Sequence, residues 1–96
     1  MAFRLILSPR FVAELKAEIA YIHAKSPSGA RTVEAQVRRS FTRLLDFPMS
    51  GRPGRVAGTR ELVVPKTPYV IAYRVRGEDI AVAAIRHGRR RWPKRF

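Results

Sequence analysis

The stretch PYVIAYRVRGEDIAV, residues 68–82, decides how this chain folds. Successive side chains of a strand point to opposite sides, so Tyr69, Ile71, Tyr73 and Val75 share one face and Val70, Ala72, Arg74 and Arg76 the other. Arg76-Gly77-Glu78-Asp79 then reads as a tight hairpin turn, because glycine accepts the positive φ that such turns demand. Ile80–His87 returns as the partner strand. Apolar residues on both faces near the start of the Tyr69 run mark it as a central strand. Upstream, Glu61–Pro65 is a third run of strand character.

Working outward, Phe3, Leu5 and Leu7 alternate with Arg4 and Ile6 as a short strand would. Ser8-Pro9 and Ser26-Pro27 each read as an N-cap followed by proline at the first helical position, where its missing N–H costs nothing. Val12, Leu15, Ile19 and Ile22 form one helical stripe, and Ala30, Val33, Val37, Phe41, Leu44 and Leu45 form a second. The spacing predicts helices over 9–25 and 27–46, folded back as an antiparallel hairpin. Phe47, Met49 and the leucines before them are assigned to the core. The Gly- and Pro-rich segment Pro48–Gly58 has no periodicity and is expected to be a loop. The order strand, helix, helix, strand, strand, strand is an α+β arrangement, with the helix pair on one face of a mainly antiparallel sheet of about four strands.

Ninety-six residues make one domain, and 46% hydrophobic content supplies a core. The chain has no cysteine, which excludes disulfides, thiolate zinc sites and a cysteine nucleophile. Two histidines and few carboxylates argue against a metal site, and the GRPGRVAGTR loop lacks the lysine and following helix of a nucleotide-binding loop. No cofactor is expected. The apolar run at the N-terminus, broken by Arg4 and Pro9, is too short for a membrane span or a signal-peptide core, so a cytoplasmic location is expected. The net charge is +13, from 20 basic residues, 16 of them arginine, against 7 acidic ones. Residues 49–96 carry most of that excess. Arginine's planar fork suits phosphate and carboxylate, so the composition points to an anionic partner. If the helices cover one sheet face, Arg60, Arg74 and Arg86 could gather on or beside the open one, joined by Arg89, Arg90 and Arg91 of the tail. Arg52 and Arg55 are further candidate anion contacts. Trp92 and Pro93 are expected to anchor the tail against the sheet.

Four stretches, SPRFVAELKAEIAYI, LLDFPMSGRPGRVAGTRELVV, PYVIAYRVRGEDIAV and IRHGRRRWP, together and in this order resemble the RelE/ParE toxin superfamily from Phe3 to Pro93. The resemblance implies a β-α-α-β-β-β fold and a bacterial type II toxin–antitoxin system, in which a cognate acidic antitoxin silences the toxin in a hetero-oligomer. It also implies one of two activities. RelE-like members cut messenger RNA on the ribosome, and ParE-like members bind DNA gyrase. RNA cleavage through the 2′-hydroxyl requires a base, an acid and cations for the developing phosphorane charge. The lysines that serve RelE-like nucleases align with Glu61 and Val63, their arginine with Val70 and their tyrosine with a position close to Phe96. Only a basic residue after the last strand survives, as Arg89 or Arg90. Other relatives use a glutamate, an arginine and a histidine, which makes Glu61, Arg74 and His87 a reserve catalytic set. The expectation is a ParE-like gyrase inhibitor. A RelE-like nuclease and a non-toxic basic nucleic-acid-binding module are the alternatives.

Overall fold

Ser8 and Ser26 start the two helices, as the prolines behind them predict. In the computed structural model, which describes residues 2–96, the Ser8 hydroxyl accepts the Phe11 N–H and the Ser26 hydroxyl accepts the Gly29 N–H, both at 3.0 Å. Each bond satisfies an amide that the first helical turn leaves unpaired, a contribution of about 1 kcal/mol. Helix α1 spans Pro9–Lys25 and α2 spans Pro27–Asp46. Ser26 alone links them, donating its own N–H to the Ile22 carbonyl while capping α2. Phe11 near the start of α1 meets Phe41 near the end of α2, ring centroids 5.7 Å apart, so the pair runs antiparallel. No helix among the described residues is long and apolar enough to cross a membrane.

Among the described residues five strands form one mixed sheet: β1 (Arg4–Leu7), β2 (Arg52–Pro53), β3 (Arg60–Val63), β4 (Tyr69–Arg76) and β5 (Asp79–His87), in the order β1-β5-β4-β3-β2. β1 lies parallel to β5 and the other pairs are antiparallel. The strand beyond the expected four is β2, two residues inside the segment that composition marks as loop. A run that short carries no alternation, and Pro53 fits an edge strand because it has no N–H to offer a ladder. In the β4–β5 turn only Gly77, at φ 59°, has positive φ, as a type II′ hairpin requires.

Both helices pack on the same sheet face. Phe11, Val33, Val37 and Leu44 join Leu62, Val64, Tyr69, Ile71, Tyr73, Ile80, Val82 and Ile85 in one buried cluster, with Val12, Leu15, Ile19 and Ile22 at its rim. The face expected for Tyr69, Ile71, Tyr73 and Val75 is therefore the helix face. The structure departs from the sequence expectation at two places. Phe11, outside the expected stripe, is the most deeply buried residue of α1. Phe47, Met49 and Leu45 are exposed, the first two at 62% and 58%, because Phe47 caps α2 and the chain turns outward there.

Beyond Leu7 the chain leaves the sheet for α1, so among the described residues the outer edge of β5 from Ala83 onward has no strand beside it. Ala83 is an extra residue in the β4–β5 ladder, where Ala72 pairs with Ala84 and Tyr73 with Val82. The Ser8 hydroxyl donates to the Ala83 carbonyl at 2.8 Å, and the Ile85 N–H donates to Glu14 at 3.2 Å. Helix α1 thereby satisfies the edge that β1 leaves open.

Candidate functional site

The sheet face turned away from the helices carries Glu61, Val70, Ala72, Arg74, Arg76, Ala81, Ala84 and Arg86, by the register of β3, β4 and β5. It divides into a closed half and an open half. In the closed half Glu61 is buried, its side chain 1% exposed, beneath the β2–β3 connection. Its carboxylate accepts Nη2 of Arg52 at 3.1 Å, the backbone N–H of Arg55 at 2.7 Å, and Nε and Nη2 of Arg55 at 3.2 and 3.1 Å. Burial pushes this carboxyl up, but the hydrogen bonds from Arg55 and Arg52 outweigh it and hold the group below its ordinary value. Arg55 also stacks on Trp92, its guanidinium carbon 4.0 Å from the ring centroid, and donates to the Gly88 carbonyl at 2.8 Å. Trp92 and Phe96 meet edge to face at 6.2 Å. The tail is thus anchored on the sheet through Trp92, as expected.

The open half is a groove of about 280 Å³ lined by Ile6, Ser8, Arg10, Arg74, Arg76, Ala81, Ala83 and Phe96. Its floor is apolar and its walls hold three guanidiniums. Among the described residues no carboxylate pairs with Arg10, Arg74 or Arg76. Arg10 lies 5.3 Å from the centre of the Phe96 ring, which brings the end of the tail to the same groove. Three unpaired arginines around an apolar floor have the chemistry to hold an anionic group and an apolar one side by side.

The arginines singled out in the sequence divide between the two faces. Arg74 and Arg86 lie on the open face. Arg60 does not: it sits opposite Tyr73 on the helix face and donates to the Gly51 carbonyl at 2.9 Å, helping to hold the loop that Tyr73 also fastens through Pro48 and Gly51. Arg52 and Arg55 are committed to Glu61. Arg86 reaches round the edge of β5 to Glu14 at 2.9 Å, and Arg90 pairs with Glu18 at 2.7 Å. Arg89 and Arg91 are exposed and have no ion-pair partner among the described residues. Arg10 and Arg76 are groove residues that the sequence reading left out. Arg10 sits one position after a helix-starting proline, and only the path of α1 beside β5 brings it to the sheet.

The reserve set Glu61, Arg74 and His87 is not assembled. His87 opposes Tyr69 on the helix face, 6.2 Å between ring centroids, while Glu61 and Arg74 lie on the other face. His87 Nδ1 accepts the Arg89 N–H at 3.1 Å, which leaves the neutral ring's proton on Nε2 and fits a residue that shapes the start of the tail. Tyr69 donates its hydroxyl to Glu18 at 2.8 Å, and burial together with that carboxylate pushes its pKa up to about 12, so near neutrality it stays protonated and bonded to Glu18.

The fold and the sequence are shared with known proteins. Residues 5–92 match the family model described as ParE toxin of type II toxin-antitoxin system, parDE. A protein of Sinorhizobium fredii (strain NBRC 101917 / NGR234) named "Putative toxin Y4kP" is 39% identical over 75 residues, which cover 78% of this chain and 77% of that protein. The solved structure titled "Chromosomal ParDE TA system from P. aeruginosa" contains a chain with the same fold, at a TM-score of 0.79 and 23% identity over 88% of this chain and 95% of that one. The chain belongs to the ParE toxin family of type II toxin–antitoxin systems.

Proposed function

We propose that this toxin inhibits DNA gyrase by binding it, without cleaving RNA, and that a cognate acidic antitoxin neutralises it in a hetero-oligomer. The observation that carries the reading is the fate of the acid–base set. A general base needs a free lone pair within hydrogen-bond reach of the proton it removes. Glu61 spends its lone pairs on Arg52 and Arg55, and His87 stands on the opposite sheet face from Arg74. What remains is a binding surface: the groove between Arg10, Arg74 and Arg76, with Arg89 and Arg91 on the tail beside it. Such a surface attracts an anionic partner at long range and gains hydrogen bonds at contact.

Messenger RNA recovered from a translation extract containing the purified protein tests the negative half. Intact transcripts are expected. Ribosome-dependent cuts that vanish in Arg74→Ala or His87→Ala would reverse it in favour of a RelE-like nuclease. The antitoxin half is tested by surface plasmon resonance with the product of the adjacent reading frame. Raising salt should slow association more than it speeds dissociation, because screening weakens steering but not apolar contact. Charge reversal at Arg89 or Arg91 should act on the on-rate. An on-rate indifferent to salt would overturn the charge-steered mode of neutralisation.

A further inference from the structure

Arg55 engages every nitrogen of its guanidinium. Nε and Nη2 donate to the buried Glu61 carboxylate at 3.2 and 3.1 Å, and Nη1 donates to the Gly88 carbonyl at 2.8 Å. Its backbone N–H also donates to Glu61, at 2.7 Å, so one carboxylate fixes both the residue and its fork. The guanidinium carbon then lies 4.0 Å from the centroid of the Trp92 ring. The Trp92 indole N–H is buried and has no acceptor among the described residues, so this seat grips the ring by its face and not by its polar edge. The tail that meets the seat is tied and free by turns. Arg90 pairs with Glu18, the Arg91 carbonyl accepts Nη2 of Arg86 at 3.2 Å, and Trp92 rests against Arg55. The side chains of Arg89 and Arg91 are exposed and have no ion-pair partner among the described residues.

From this arrangement we infer that Arg55 is a positioning residue for target binding: it seats Trp92, and through Trp92 it holds Arg89 and Arg91 outward beside the arginine groove. The inference rests on the gyrase-binding function proposed above. A loose tail has to be ordered at each encounter, at a cost in conformational entropy, whereas a seated one meets the target with its charges in place. The other side-chain holds on the tail are slighter. Arg90, which pairs with Glu18, is 57% exposed, and surface pairs of that kind contribute little. Arg10 lies 5.3 Å from the centre of the Phe96 ring, farther than Arg55 from Trp92. Arg55, by contrast, ties the tail to a carboxylate whose side chain is 1% exposed. Lysine could not take its place, since an ammonium has neither a flat face for the indole nor a fork to share between a carboxylate and a carbonyl. Service as a counter-ion to Glu61, which Arg52 also provides, leaves the contacts of Arg55 with Trp92 and Gly88 unexplained.

Trp92 is the only tryptophan, so acrylamide quenching of its fluorescence in the full chain reads the seat directly. Quenching should be low in wild type and rise in Arg55→Ala and in Arg55→Lys. Gyrase supercoiling, titrated with toxin whose fold is checked by circular dichroism, reads the consequence. Arg55→Ala and Trp92→Ala should each raise the half-inhibitory concentration about tenfold, the scale of one desolvated cation–π contact. Trp92→Phe should inhibit as wild type does, because it keeps a ring face and gives up only an N–H that has no acceptor. The combined Arg55→Ala and Trp92→Ala variant should be no weaker than either alone, since both remove the same contact. Trp92→Ala leaves Glu61 with both of its arginines, which separates loss of the seat from loss of the buried ion pair. Effects that add in the combined variant, a folded Trp92→Ala that inhibits as wild type does, or quenching that Arg55→Ala leaves unchanged would each overturn the inference. A wild type that leaves supercoiling untouched would overturn the proposed function instead, and the quenching series would still decide whether Arg55 seats the tail.

Discussion

The two faces of one sheet obey different rules in this protein. On the helix face, Ile71, Tyr73, Ile80 and Val82 join Phe11, Val37 and Leu44 in one apolar cluster. On the other face the closed half is held by a buried carboxylate and two arginines, and the open half shows guanidiniums over alanines. The first face is shaped by burial of apolar area, which is non-directional and tolerant of alternatives. The second depends on particular atoms. Stability should therefore reside mainly in the helix face and partner binding in the other, with Glu61 the exception that ties them together.

Phe11→Ala should produce the largest loss, about 4 kcal/mol of unfolding free energy by denaturant titration, as for a large side chain removed from a closed core. Glu61→Ala comes next at about 2 kcal/mol, because it strands two arginines that keep partial access to water. The same residue gives an acid dependence. Its carboxyl titrates below its ordinary value when folded, so its contribution is present above about pH 4.5 and disappears as pH falls through the folded value. Glu61→Ala should flatten that acid limb. Were Glu61→Ala neutral, the closed half would be ordinary surface and the comparison would fail. Arg74→Ala should change stability by no more than about 0.5 kcal/mol while weakening partner binding about tenfold, which separates the open half from the core.

A smaller effect concerns Tyr69, whose hydroxyl titrates near 12 when folded against an ordinary 10.0. A raised value means that stability is full below about pH 10 and falls as pH rises toward the folded value. Ultraviolet titration should show Tyr21, whose value the Lys25 hydrogen bond lowers, ionising first and Tyr69 well after it. Glu18→Gln should bring Tyr69 down toward its ordinary value.

Much of the helix face was legible in the residues. Two Ser-Pro starts and a glycine turn bounded the helices and the β4–β5 hairpin, and period-two alternation assigned Tyr69, Ile71, Tyr73 and Val75 to one face. β2 was not legible, since two residues have no period. The open face was legible only in part. Arg74 could be placed by parity within its own strand, but Arg60 could not, because a shift of one residue in register moves a side chain to the opposite face. The pairing of Arg86 and Arg90 with Glu14 and Glu18 depends on α1 crossing the edge of β5, a tertiary fact with no local signature. Glu61 offered one signal: it is the sole carboxylate between Met49 and Arg76, amid Arg52, Arg55 and Arg60. An isolated acid among arginines in an apolar strand is more readily a buried counter-ion than a base.

On the function proposed above, the arginine groove of the open face acts by binding a target, with no acid–base chemistry. The most direct test is gyrase supercoiling of relaxed plasmid with increasing amounts of the purified toxin, run beside Arg74→Ala, Arg76→Ala and His87→Ala. Wild type should inhibit supercoiling, the two groove variants should lose inhibition while remaining folded, and His87→Ala should inhibit as wild type does. Undiminished supercoiling at every toxin concentration, or inhibition that His87→Ala abolishes and Arg74→Ala spares, would contradict that function.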